Sequence, residues 1–354
     1  MKFAIITDQH FCVRDSSEYF IENYRKFYTN TFFPYLKEHG ITTILCLGDT
    51  FEDRRKLNIN GLQAAREMYF DVARDNGIKI ITILGNHDVY YRNTNEINSI
   101  DILCEAYDNI DLVYDTRVQD FDGVKIALCS WINKENYRNK LDFIKNSGAD
   151  ILAGHFEING FEMTRGNVCE SGMTKDIFAQ YDAVWSGHFH IKSQIDDILM
   201  LGNPSQTNKG DLGYKRGFHV FNTDDRVLTF IENPYEVYTS LNYTDDINVL
   251  DYDFSKYENL FVNVNITSYL KVDTVKLNLF VDTLNQHAHS VDIVEWENEM
   301  SQSNIDVDNL DYTSNLDVIT TYIDSAFDVK DDSNYLKSYM TDLYNEAVEL
   351  VEDE

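Results

Sequence analysis

Five short segments carry residue types that bind metal: Asp8-Gln9-His10, Gly48-Asp49, Gly85-Asn86-His87-Asp88, Gly154-His155 and Gly187-His188-Phe189-His190. Carboxylate, amide oxygen and imidazole together suit borderline divalent cations such as manganese, iron or zinc. Two such ions about 3.5–4 Å apart can clamp a phosphoryl group and activate a water. A shared carboxylate holds two cations that close because its charge offsets their repulsion. Taken singly, each segment has a blander reading. One His in a turn is usually a satisfied polar residue, Gly-Asp is a common turn dipeptide, and Asn-His-Asp can cap a helix. What lifts the set above those readings is that every segment directly follows an apolar run, and that five of the nine histidines fall in these turns.

The elements that must position them are legible as a rhythm. Lys2–Ile6, Thr43–Leu47 and Lys79–Leu84 are short apolar runs that read as buried strands. Between them, Ser17–Glu38 and Asn60–Asp75 are periodic and long enough for helices. Further strands are expected at Val124–Cys129, Ile151–Ala153, Ala183–Trp185, Phe218–Phe221 and Val227–Ile231. Residues Asn222-Thr223-Asp224-Asp225 form the hairpin loop between the last two. Alternating strands and helices imply an α/β fold with a mostly parallel buried sheet. In such a sheet ligands gather outside the carboxyl ends of the strands, which would bring Asp8, His10, Asp49, Asn86, His87, His155, His188 and His190 to one edge. The small Gly48, Gly85, Gly154 and Gly187 allow sharp turns there.

At 354 residues the chain exceeds what one core usually supports. The rhythm lapses over Tyr235–Asp253, which we read as a domain boundary. Leu260–Ile266 (strand), Asp273–His287 (helix) and Ser290–Glu295 (strand) then suggest a small α+β unit. Met300–Asn309 reads as an acidic linker, and Thr313–Phe327 and Ser333–Val351 as two helices. The expected domains are therefore 1–235, 236–300 and 301–354. No apolar run is long enough for a bilayer span, and the first residues read as a strand rather than a signal peptide. Five scattered cysteines, none in a CxxC pair, argue against a disulfide framework or zinc knot and fit a reducing, cytoplasmic compartment. The net charge of −30 disfavours simple electrostatic attraction to nucleic acid. The excess is uneven: the last 119 residues carry −21 and the first 235 carry −9.

The ordered series DxH, GD, GNHD, GH and GHxH over residues 8–190 resembles the calcineurin-like metallophosphoesterase superfamily. The resemblance implies a β-sandwich core flanked by helices, with a small α+β capping domain and C-terminal helices. It implies one metal on Asp8, His10, Asp49 and His190, a second on Asp49, Asn86, His155 and His188, and a catalytic His87 beside Asp88. Two divalent ions are expected, Mn²⁺ foremost, with Mg²⁺, Fe²⁺ or Zn²⁺ as alternatives. The segments Gly48-Asp49-Thr50-Phe51-Glu52-Asp53-Arg54-Arg55, Gly154–Phe161, Val184–His190, Leu201–Gln206 and Tyr214–Phe218 are more specific. They resemble the SbcD-type nuclease subunits of double-strand-break repair, and among these the small subunits of T-even phage recombination endonucleases. Arg54, Arg55, Arg92, Asn203 and Ser205 become candidates for substrate contact.

That resemblance implies DNA as substrate and an SMC/ABC-type ATPase as partner, with C-terminal helices docking on the ATPase coiled-coil root. Leu336, Met340, Leu343, Ala347 and Leu350 are spaced 4, 3, 4, 3, the seam of a helix that packs on another. It also implies a homodimer through helices near the first motifs, for which Ser17–Tyr35 and Asn60–Tyr69 are candidates. Tyr19, Phe20, Tyr24, Phe27 and Tyr28 could form the surface or could be core. No membrane association is expected, and the compartment would be the host cytoplasm for a phage protein. The alternatives are another phosphodiesterase or phosphatase acting on a small or protein substrate, and a scaffold that uses metal structurally. A small-molecule phosphodiesterase needs neither the extra module nor the terminal seam, and the complete ligand set with His87 argues against the scaffold.

Overall fold

The structure, a computed structural model, describes residues 1–295 and Met340. Of the expected seam only Met340 falls within them. The linker Met300–Asn309, the two C-terminal helices, Leu336, Leu343, Ala347 and Leu350 lie outside the described residues.

Two six-stranded mixed sheets form the body. The first runs in the order Val227–Glu232, Gly217–Asn222, Lys2–Ile6, Thr43–Cys46, Lys79–Ile83, Ile110–Val113, the last four parallel. The second runs Ser193–Ile195, Ile198–Met200, Ala183–Gly187, Ile151–His155, Val124–Cys129, Thr116–Phe121, its middle four parallel. The expected strands and the 222–225 hairpin are present. The two layers are the β-sandwich core that the family resemblance implied, and the mostly parallel sheet read from the strand–helix rhythm is divided between them. The central strands bury both faces, so local pattern could not say which layer each joins. Phe3, Ile5, Leu45, Ile81, Ile126, Ala153 and Trp185 point into a core shared by the two sheets. Ala4, Ile6, Ile44 and Ile80 face outward onto the helices of the first sheet, and Ala127, Leu152 and Val184 onto those of the second. Strands Ile110–Val113, Thr116–Phe121 and Ile198–Met200 and helix Tyr137–Asn146 went unread because they are short or mixed in polarity.

The helix expected over Ser17–Glu38 is Glu18–Phe27 and Phe33–Glu38, joined through a π-helical turn at Tyr28–Phe32. The one over Asn60–Asp75 is Ile59–Ala65 and Asp71–Asp75, joined through a π-helical turn at Arg66–Phe70. These wider turns seat Tyr28 against Tyr69 (ring centroids 5.3 Å) and Phe32 against Phe218 (4.7 Å). Of the two readings left open for Tyr19, Phe20, Tyr24, Phe27 and Tyr28, surface or core, core holds for four of the five. Phe20, Tyr24, Phe27 and Tyr28 are buried, because the apolar helix face covers the first sheet. Tyr19 packs on Phe261 and His289 of the following module.

Residues 1–266 and 272–294 form one compact unit. Within it, strands Tyr238–Asn242, Phe261–Ile266 and Ser290–Glu295 and helix Thr274–Leu284 enclose a separate core of Val262, Val264, Leu277, Phe280 and Leu284. Asp273 caps the helix, its Oδ1 accepting from the amides of Val275 and Lys276. Among the described residues no helix is long and apolar enough to cross a membrane.

Candidate two-metal site

The five motif turns meet where the carboxyl ends of both sheets come together, three from the first sheet and two from the second. Backbone bonds lock the first two turns: Asp8 N donates to Gly48 O (3.0 Å) and His10 N to Asp49 O (3.1 Å). Asp8, His10, Asp49 and His188 all have positive φ, at 50°, 46°, 51° and 92°. Non-glycine residues in this region each cost roughly 1–3 kcal/mol and persist only where the surroundings enforce them. Here the reward is that four ligand-type side chains turn inward. Close approach explains Gly85: a Cβ there would lie 2.2 Å from Asp49 Oδ1.

Ligand-type atoms of Asp8, His10 and His190 lie within 4.8 Å of one another, as do those of Asp49, His155 and His188. Asp49 links the two groups, with Oδ2 3.2 Å from His155 Nε2 and 3.9 Å from His10 Nε2. Asn86 joins the second group through Oδ1, 3.0 Å from His155 Nε2 and 2.8 Å from His188 Nδ1. His10 and His190 face each other Nε2 to Nε2 at 2.9 Å. The carbonyl of Leu47 lies 2.8 Å from His155 Nδ1 and accepts its N–H, which turns Nε2 toward Asp49 Oδ2 and Asn86 Oδ1. All seven residues expected as ligands are thus brought together.

The electrostatics describe a site built for cations. Burial alone would lower the imidazoles of His10 and His155. Glu52, Asp49 and Asp8 outweigh it at His10, and Asp49 and Asp8 at His155, raising each to about 9. Burial and the neighbouring His155 hold His188 at about 3, and burial and His10 hold His190 at about 4. Burial opposes ionisation of Asp49, but His155, His10 and His87 overcome it and push its carboxyl below the usual range. The ionised Asp49 carboxylate, set between the two imidazole groups, thus gathers positive charge around it. That donor set, hard oxygen plus neutral-capable nitrogen, fits two borderline divalent cations.

The remaining candidates separate by geometry. His87 sits at the edge, half-buried, its N–H donated to Asp49 Oδ1 (2.7 Å) and its Nδ1 against the Glu52 carbonyl. Asp88 is fully buried and turned to the backbone. Oδ2 accepts from Asp49 N and Gly85 N (both 2.8 Å), and Oδ1 from Thr50 N (3.0 Å). It ties the second and third turns together, and burial next to Asp49 raises it to about 6. The side-chain oxygens of Asn203 and Ser205, expected to contact substrate, are engaged inside the fold. Both are buried: Arg216 donates to Asn203 Oδ1 (2.5 Å), and Asn233 Nδ2 to Ser205 Oγ (3.1 Å). Arg216 also donates to the His190 carbonyl and pairs with buried Asp211 at 2.7 Å, so it holds the His190 turn. Arg54 is half-buried, and Arg55 and Arg92 are exposed.

Sequence reasoning missed three contributors. Glu52 Oε2 lies 2.7 Å from His10 Nδ1 and orients that ring. Trp131 packs on His188 (5.3 Å) and His155 (5.8 Å). The loop bearing Trp131 is anchored by a buried lysine, Lys140, whose Nζ donates to the carbonyls of Ser130 (2.9 Å) and Trp131 (3.0 Å). Only the acid just after Gly48-Asp49 had a sequence signal; Trp131 and Lys140 follow no metal motif.

Residues 1–192 match the calcineurin-like phosphoesterase family. Exonuclease subunit 1 of Enterobacteria phage T4 is 32% identical over 316 residues, which is 89% of this chain and 90% of that protein. Among solved structures, a novel archaeal phosphodiesterase covers 66% of this chain and 99% of its own, at 14% identity and a TM-score of 0.34. GAP50, the anchor in the inner membrane complex of Plasmodium, covers 66% of this chain and 85% of its own, at 15% identity and a TM-score of 0.40.

Proposed function

The chain belongs to the calcineurin-like phosphoesterase family and is a metal-dependent phosphodiesterase, and on that premise we propose that it is the nuclease subunit of a DNA recombination and repair complex. The observation that carries the reading is Asp49 standing between two imidazole groups, supported by likeness to a phage exonuclease subunit along nearly its whole length. In this reading Asp8, His10, Asp49 and His190 hold one divalent ion, and Asp49, Asn86, His155 and His188 hold the other. Mn²⁺ is the best candidate for both. When bound, such ions polarise phosphoryl oxygens and lower the pKa of a coordinated water.

The chain's own residues supply the rest. Leu47 O and Glu52 fix the rings of His155 and His10 with their Nε2 atoms inward. His87, held by Glu52 O through Nδ1, would carry a proton at Nε2 to the leaving 3′ oxygen. Asp88 and Arg216 act as positioning residues for the turns of Asp49 and His190.

The proposed organisation is a nuclease domain (1–235), a capping module (236–300) and an acidic tail (301–354) that docks on an ABC-type ATPase in the cytoplasm. A homodimer fits the family but would need a surface other than the buried rings of the first helices. The test is manganese-dependent cleavage of linear duplex and single-stranded DNA, with and without the ATPase, for wild type and Asp49→Ala. Cleavage lost in Asp49→Ala is the expected result. A wild type that leaves DNA intact yet hydrolyses a cyclic nucleotide or a phosphoprotein would refute the nuclease reading.

A further inference from the structure

The loop that follows the Asn86-His87-Asp88 turn carries two tyrosines that no structural need explains. Tyr90 and Tyr91 are 39% and 49% exposed, with ring centroids 4.7 Å apart at 77°. Rings left partly in water beside the base of a loop forgo some of the burial that stabilises such side chains elsewhere.

This loop is not loose. Val89 and Asn98 form an antiparallel bridge, and Tyr90 N donates to Ile97 O at 2.8 Å. Beneath it lies a buried amide network. Asn133 donates to Asn95 Oδ1 (2.8 Å), Asn95 to the Trp131 carbonyl (3.2 Å) and Asn98 to the Asn95 carbonyl (3.2 Å). All three asparagines are buried. The network ties the loop to Trp131, which itself packs on His188 and His155. The tyrosines therefore stand on a base fixed to the metal centre, and a preformed surface loses little entropy when it binds.

Next to the rings is Arg92, within electrostatic reach of Arg54, which also senses Asp49. Burial and the Arg92 charge hold the Arg54 guanidinium below its ordinary range. Among the described residues neither Arg54 nor Arg92 has an ion-pair partner, in a chain with 60 acids and 30 bases. Two like charges kept together, opposed at Arg54 only by the longer-range charges of Asp49 and Asp53 and by no ion pair, suit an anionic ligand.

We propose that Tyr90 and Tyr91, with Arg92 and Arg54, form a subsite that holds a single DNA strand beside the metal centre, bases stacked on the rings and phosphates on the guanidiniums. The inference rests on the nuclease reading and names the form of substrate it would take. Stacking suits this chain in particular: its strength does not depend on net charge, whereas a net charge of −30 weakens any purely electrostatic grip.

The test is fluorescence anisotropy of the full chain, with metal chelated, against a short labelled thymidine strand and an abasic strand of equal length at low salt. Wild type should bind the thymidine strand roughly tenfold more tightly than the abasic one. The double variant Tyr90→Ala with Tyr91→Ala should remove that preference, and Tyr90→Phe with Tyr91→Phe should keep it. Arg54→Gln with Arg92→Gln should weaken both strands. Tyr137→Ala, exposed on helix Tyr137–Asn146, should change neither. Equal binding of the two strands by wild type, or an undiminished preference in the double alanine variant, overturns the subsite. Binding is read without cleavage. Failure of the nuclease reading shows separately, as intact DNA in manganese, so the two failures are distinguishable.

Discussion

Replacing Asp88 tests whether this residue positions the site or takes part in the chemistry. Its carboxylate accepts three backbone N–H bonds: from Asp49 and Gly85 at 2.8 Å and from Thr50 at 3.0 Å. Each buried donor left without a partner costs roughly 1–3 kcal/mol. Asp88→Ala strands three donors, so the loss should be at least about 3 kcal/mol even at the low end. For a protein of this size that is a fall in Tm of roughly 6–12 °C. Asp88→Asn is milder. Its amide oxygen can keep the Asp49 and Gly85 bonds, while its NH2 opposes Thr50 N, stranding one donor at about 1–3 kcal/mol. The expected stability order is wild type, Asn, Ala. Activity should follow the same order, because a displacement of about 1 Å at Asp49 can cost on the order of a hundredfold. The assays are calorimetric unfolding and hydrolysis of an activated small phosphodiester in manganese. A direct acid–base role predicts a different pattern: both variants equally inactive, with Tm values matching wild type. That result would refute the positioning argument.

His87→Ala should slow turnover by roughly 10²–10⁴-fold yet leave two manganese ions by isothermal calorimetry; near-wild-type turnover would remove His87 from the mechanism. Burial and Lys192 hold the His219 imidazole at about 3, so it stays neutral in the fold, while the unfolded chain takes up a proton as pH falls through about 6.5. Stability is therefore lost on acidification, by about 2 kcal/mol at about pH 5, and His219→Phe should lose that much less between about pH 7 and 5. Parallel stability curves for the two proteins would count against this. A chain ending at Asn309 should hydrolyse a small phosphodiester normally but lose the ATPase and its stimulation of nuclease activity, and Leu343→Asp should do the same. Co-purification of the shortened chain with the ATPase would move the dock elsewhere.

The sequence by itself determined the strands and the residues at their ends. Lys2–Ile6 and Val124–Cys129 were legible to the residue, because a strand buried on both faces is a nearly unbroken apolar run and turn chemistry marks where it stops. The seven ligand-type residues and His87 were legible for a related reason: carboxylates, an amide and imidazoles recurring at one strand end after another share a chemistry that none of them would signal alone. Tertiary structure alone decided how those turns combine. The amide of His188 reaches the carboxylate of Asp8 across 180 residues, and strands from two sheets, not one edge, supply the site. No local period encodes which of two equally apolar layers a strand joins. Nor could it reveal that the side-chain oxygens of Asn203 and Ser205 accept internal hydrogen bonds, that Phe20, Tyr24, Phe27 and Tyr28 are core, or that Asp88 clamps backbone. A polar side chain's role depends on what burial brings to its oxygens and nitrogens, and that is fixed only when distant segments pack.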